Sequence, residues 1–196
     1  MQSMSLAPVD YVFTGPTSCP VTFAFSFPRR LDAKRMERGL LPLLAAMPWL
    51  AGQLRARSEH DYAFEISDQP RLCLEVTSSH KTFAELSGSE LVRVVKSVDG
   101  QPLVHARITH TPGGSVLAVS MSHALVDGFS FFLTLSKWAA GTRGESIEAP
   151  VMQRLLRPSE AAVRAAAEDL SAAALLERSG LFWAELRSSV YHAAGR

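Results

Sequence analysis

The spacing of apolar positions changes several times along the chain, and each change predicts an element. VTFAFSF (residues 21–27) is a short run of β-branched and aromatic residues closed by Pro28, which predicts a strand. Met36, Leu40, Leu43, Leu44 and Met47 then recur at helical spacing behind Asp32, a residue suited to cap the helix, and Pro42 is placed to bend it. QLRAR, YAFEIS and LCLEVT follow, separated by polar residues and Pro70, and predict successive strands or hairpins of a sheet. A helical segment is expected over residues 83–98, ahead of a turn at Asp99-Gly100.

Two stronger strand patterns face each other across the loop TPGG: PLVHARITH (residues 102–110) and SVLAVSMSH (residues 115–123), a spacing that favours a hairpin. In the second, the period of two puts Leu117, Val119, Met121 and His123 on one face, so the histidine is expected to emerge at the strand's end. Asp127 is then placed to cap a helix, GFSFFLTLSKWAA, with an apolar stripe of Phe131, Phe132, Leu135, Trp138 and Ala139. GTRGESIEAP reads as a linker. Beyond it, SEAAVRAAAEDLSAAALLERSG predicts a helix from a serine cap to Gly180, and LFWAELRSSV allows another with Phe182, Leu186 and Val190 on one side. The expected organisation is one compact domain over residues 1–150, followed by a crossover and C-terminal helical segment over residues 151–196.

The totals narrow the function classes. A chain of 196 residues can bury a core without disulfides or metals. Twenty basic and nineteen acidic residues nearly cancel without blocks of like charge, which disfavours nucleic acid or acidic lipid as a partner. Cys19 and Cys73 stand far apart without a CxxC pair, as reduced thiols in a cytosol do. The start, MQSMSLAPVDYVF, lacks a basic n-region and an apolar h-region, so a cytoplasmic location is expected. The longest apolar stretch, residues 40–54, is shorter than the roughly 20 residues of a membrane span and is broken by Pro42, Pro48 and Gly52, so it reads as core.

The stretch MSHALVDGF (residues 121–129) carries the chemistry. From the chain's own counts of histidine, aspartate and glycine, HxxxD arises by chance about 0.2 times and HxxxDG about 0.013 times. The plain reading is a strand-end histidine bonded to a neighbour and an aspartate that only caps a helix. Against it stands the placement at a strand-to-helix turn, which holds side chains rigidly while exposing them to a cleft. Other constellations are weaker. His105, His110 and His123 could meet as a metal site only across opposite strand faces, and neither HExxH nor paired cysteines supports a metal. Ser130 in GFSFF fails the GxSxG pattern of a nucleophile elbow, and no GxGxxG or GxxxxGK[ST] points to a nucleotide cofactor. His60, His80 and His192 lack chemical company and read as surface residues.

SHALVDGFSFF followed by TLSKWA resembles the active-site segment of the BAHD acyltransferases, the CoA-dependent branch of the chloramphenicol acetyltransferase-like superfamily. MPWLAGQL (residues 47–54) is similar to that family's Pro-Leu-Ala-Gly-Arg-Leu segment, with Gln53 where arginine is usual. Condensation domains of peptide synthetases share HxxxDG but usually carry a second histidine where this chain has Ser122, which favours the acyl-CoA branch. The resemblance implies an α+β fold: a chloramphenicol acetyltransferase-like sandwich with a mixed sheet and flanking helices, the N-terminal half of a two-half enzyme. It implies acyl-CoA as co-substrate, no permanently bound cofactor and no metal, and a small-molecule acceptor presenting a hydroxyl or an amine.

By the same resemblance His123 is the general base that takes the acceptor's proton and returns one to the leaving thiol. Asp127 holds the loop, through a salt bridge whose arginine lies in the second half of family members. Gly128 lets the backbone turn where a side chain would obstruct, and Ser122 and Ser130 are candidate neighbours of the site. The family's second half, with its Asp-Phe-Gly-Trp-Gly motif, is absent. A separate chain carrying that half, or association of identical chains, would have to complete the site, and 47% hydrophobic residues suit a face meant for covering. Two other readings stay open: a non-catalytic binding or structural subunit, including a remnant of such an enzyme, and a condensation-type acyltransferase fed by an acyl carrier protein.

Overall fold

The structure, a computed structural model, describes residues 2–6, 8–58 and 61–150. Two sheets organise it. The larger has the order β2 (Val21–Phe27), β7 (Gly114–Met121), β6 (Val104–Thr111), β5 (Leu74–Ser78). The smaller has the order β1 (Gln2–Ser5), β4 (Asp61–Ile66), β3 (Gln53–Ser58). The hairpin across TPGG forms as the sequence predicts, with Thr111 opposite Gly114, and β2 pairs antiparallel with β7 from Val21–Met121 to Phe27–Ser115.

QLRAR, YAFEIS and LCLEVT therefore do not share one sheet. The first two form the β3–β4 pair, whereas the third becomes β5 and pairs parallel with β6. A parallel partner needs a long crossover, and residues between β5 and β6 supply it. The continuous helix expected there is replaced by a 3₁₀ turn at Phe83–Glu85, a single turn of helix α2 (Gly88–Leu91) and extended chain. Thr82 and Ser87 each cap their turn reciprocally with the glutamate three residues on, so the segment stops and restarts.

The two faces of the larger sheet differ because its strands alternate. Val104, Ala106, Ile108, Leu117, Val119 and Met121 join Leu40, Leu43, Leu44, Phe131 and Trp138 in the main core, beneath α1 (Ala33–Ala46) and α3 (Gly128–Arg143). The opposite face is polar: Thr22 and Ser120 share a hydroxyl contact of 2.9 Å, as do Thr77 and Thr109 at 3.1 Å, and the crossover runs over them. Asp32 caps α1 as expected, accepting from the Arg35 amide at 3.0 Å, and α1 runs through Pro42.

α3 is longer than predicted. GTR belongs to the helix, which ends at Gly144 in the left-handed conformation. Its buried positions are Phe131, Thr134 and Trp138, while Phe132 and Ala139 face outward, because each lies one helical step from the stripe. The helices touch where side chains are missing: a Cβ at Gly39 would lie 2.4 Å from the Thr142 hydroxyl oxygen and 2.8 Å from its amide nitrogen, and one at Gly141 would lie 2.9 Å from the Gly39 carbonyl. That approach lets Trp138 Nε1 donate to the Met36 carbonyl at 2.8 Å and Arg35 Nε donate to the Thr142 carbonyl at 2.9 Å.

The helices expected beyond residue 150, with His192, and also His60 lie outside the described residues. Gly39→Ala should push the helices apart and cost about 1–3 kcal/mol of stability in urea unfolding; an unchanged midpoint would show that the crossing yields freely.

Candidate active site

His123 sits on a six-residue turn, residues 122–127, between β7 and α3. The strand stops at Met121, two residues short of the predicted end, so the parity that placed His123 with Leu117, Val119 and Met121 does not reach it. The chain is redirected by Ser122, whose amide donates to the Leu103 carbonyl at 2.8 Å and whose carbonyl accepts from the Leu125 and Val126 amides. The residues after it point alternately into different cores. Ala124 is buried in the cluster of the smaller sheet with Leu54, Phe64 and Leu103, and Val126 in the main core. His123 and Asp127, which flank these anchors, are left at the surface, the first half-buried and the second exposed.

The His123 ring stacks on Phe13, with centroids 4.0 Å apart and planes 15° from parallel. Phe13 closes the 3₁₀ turn Pro8–Phe13 and packs against the smaller cluster. Ser97 fixes both partners of this stack. Its carbonyl accepts from the Gly15 amide at 2.7 Å, two residues beyond Phe13, and its hydroxyl lies 2.6 Å from the Ser122 hydroxyl, which also accepts from the Ala124 amide at 3.2 Å. His123 makes no hydrogen bond or ion pair with a described residue.

Asp127 Oδ1 accepts from the Ser130 amide at 2.7 Å and opens α3 as its N-cap. The Ser130 amide and hydroxyl, with positive charge on His123, hold its carboxyl below the usual aspartate range. No arginine pairs with it among the described residues, where its contact is the helix cap. Ser122 is fully buried and acts as a buttress; it does not line the surface beside the imidazole. Ser130 is half-buried in the first turn of α3, its carbonyl taken by Thr134 Oγ1 at 2.8 Å. Gly128 has no positive φ, and a Cβ there would meet nothing within 4 Å, so no described residue provides the obstruction expected at this position.

The three histidines of the hairpin do not converge. His105 Nε2 lies 3.0 Å from Glu75, which also pairs with Arg107, and His110 Nδ1 lies 2.9 Å from the Ser115 hydroxyl. His80 is exposed, as are both cysteines. Phe13 and Ser97 escape notice in the sequence because they meet the turn from 110 and 25 residues away.

This fold is chloramphenicol acetyltransferase-like. The chain belongs to the Transferase family, whose model matches residues 76–175, just over half of its length. It is similar to F. sporotrichioides TRI101 complexed with coenzyme A and T-2, with a TM-score of 0.59 and 17% identity over 74% of this chain and 42% of that one. It is similar also to polyketide synthase associated protein 5 from Mycobacterium tuberculosis, with a TM-score of 0.56 and 19% identity over 75% of this chain and 37% of that one. The epimerization domain from the third module of tyrocidine synthetase B gives a TM-score of 0.59 and 15% identity over 83% of this chain and 40% of that one. At these identities the likeness is one of fold, and the chain spans less than half the length of each. No curated protein matches the sequence. No helix among the described residues is long and apolar enough to cross a membrane.

Ser97→Ala and Ser122→Ala should each cost about 1–3 kcal/mol in denaturant unfolding, and the double variant less than their sum, because each single change strands the other buried hydroxyl. Strict additivity would mean that the two hydroxyls do not bond. Asp127→Ala should cost about 1 kcal/mol near neutral pH. Because the folded carboxyl is held below its unfolded value, the gap between wild type and this variant should close as pH falls from about 4 through the folded pKa; a gap independent of pH would refute the charged cap.

Proposed function

We propose that this chain is the catalytic N-terminal half of an acyltransferase that moves an acyl group from acyl-CoA to a hydroxyl or amine of a small acceptor. The supporting observation is the state of His123: half-buried, stacked on Phe13, on a turn anchored in two cores, and without a hydrogen-bond partner among the described residues. A base for this reaction needs a fixed ring with one nitrogen open to an incoming proton, and this arrangement supplies it.

In the proposed reaction one imidazole nitrogen removes the acceptor's proton as its oxygen or nitrogen attacks the thioester carbonyl. The tetrahedral adduct then expels the thiolate, which takes the proton back from the imidazolium, leaving an ester or amide and a free thiol. Asp127 acts through position, holding the start of α3 against the turn. Coenzyme A in the TRI101 complex supports an acyl-CoA donor. The epimerization-domain neighbour makes a carrier-bound donor the competing reading. Because the chain covers about two fifths of these neighbours, a chain carrying a second half, or another copy of this one, completes the pocket in this proposal. A cytoplasmic setting fits such a donor.

His123→Ala should lower acyl transfer from acyl-CoA by about 10²- to 10⁴-fold, measured on the chain assembled with whatever completes it, with unfolding unchanged. Equal rates in variant and wild type would remove the histidine from the mechanism. Faster transfer from a carrier-bound donor than from acyl-CoA would replace the donor.

A further inference from the structure

The stretch that buttresses the catalytic turn has a second side. Val92, Val95 and Ser97 point inward, whereas Arg93, Val94 and Lys96 face out. They face a cavity of about 410 Å³, whose walls include Arg93, Lys96, Gln101 and His105. That volume falls within the range of about 300–1,000 Å³ typical of small-molecule sites. No carboxylate lines it, and neither Arg93 nor Lys96 makes a hydrogen bond or ion pair with a described residue. His105 is nine-tenths buried, its Nε2 committed to Glu75 at 3.0 Å, and its Nδ1 is buried without a partner. Glu75 in turn is engaged by Arg107 at 3.0 Å, so the carboxylate beside His105 is already matched by positive charge.

We propose that this cavity binds a phosphate-bearing small ligand, with Arg93 and Lys96 holding the phosphate and the His105 ring forming one wall. Two unpaired cations three residues apart, with the Gln101 amide near them, suit a group that carries several acceptor oxygens and up to two charges. The His105 ring, fixed by Glu75, gives that wall a rigid surface. Ser97, which bonds to Ser122, lies between Lys96 and Val98, both on the cavity wall, so a ligand here rests on the segment that positions His123. Two sources present this chemistry: the nucleotide end of a thioester donor and a free phosphate or phosphomonoester. Only the first rests on the acyl-transfer reading.

The test is calorimetric titration of the full-length chain with adenosine 3′,5′-bisphosphate and, separately, with inorganic phosphate. It compares wild type, the double variant Arg93→Ala/Lys96→Ala, and Arg143→Ala, which removes an equal kind of charge far along α3. Arg93 and Lys96 are exposed, so the double variant should fold, as circular dichroism would verify. The expected result is binding that weakens at least about tenfold in the double variant and is unchanged in Arg143→Ala. Tighter binding of the bisphosphate assigns the nucleotide source; equal binding of inorganic phosphate assigns the free one, and both support the site. Undiminished binding in the double variant, equal loss in Arg143→Ala, or no binding of either probe at millimolar concentration would overturn it. Neither probe carries an acyl group, so the outcome is independent of whether His123 catalyses transfer.

Discussion

The structure turns on a short segment that cannot satisfy one core without entering another. Between Ser122 and Asp127 the chain gives Ala124 to the cluster of the smaller sheet and Val126 to the main core, and Leu125 packs against both. Burial of both anchors fixes the path of the backbone between them, because neither core can release its residue without exposing apolar surface. The residues that alternate with them, His123 and Asp127, are forced outward. A histidine at the surface of a protein is ordinarily mobile. This one is held from below by its own backbone and from the side by Phe13.

The polar groups around the turn serve the same end. Ser97 and Ser122 are both buried, and their 2.6 Å contact would be costly to leave half-made, which ties the crossover segment to the turn. Through its carbonyl, Ser97 also ties the N-terminal segment that carries Phe13. Three stretches remote in sequence are thus locked around one imidazole whose nitrogens stay uncommitted. A side chain held in this way needs little reorganisation to meet a partner, the condition that makes positioning effective.

Local features were legible in the sequence because their causes are local. The hairpin across TPGG, the Asp32 and Asp127 caps and the helical stripe of α1 each follow from residues within a few positions of one another. The assignment of β3, β4 and β5 to two sheets was not, since the alternation of a strand says which face is buried but not which strand it pairs with. The predicted 83–98 helix failed because reciprocal caps at Thr82 and Ser87 end each turn almost as it begins. At the site, HxxxDG identified the turn, but extending strand parity through Ser122 misjudged how His123 is held, and Phe13 left no signal at short range.

The central claim is that the His123 ring is held face to face with Phe13 and bonded to no other described group. The most direct measurement is the NMR chemical shift of the His123 ring protons in the folded chain, compared with Phe13→Ala. The account predicts an upfield ring-current shift in the wild type that disappears in the variant while the rest of the spectrum stays folded. Ring protons at the position of a solvent-exposed histidine, unmoved by Phe13→Ala, would contradict it.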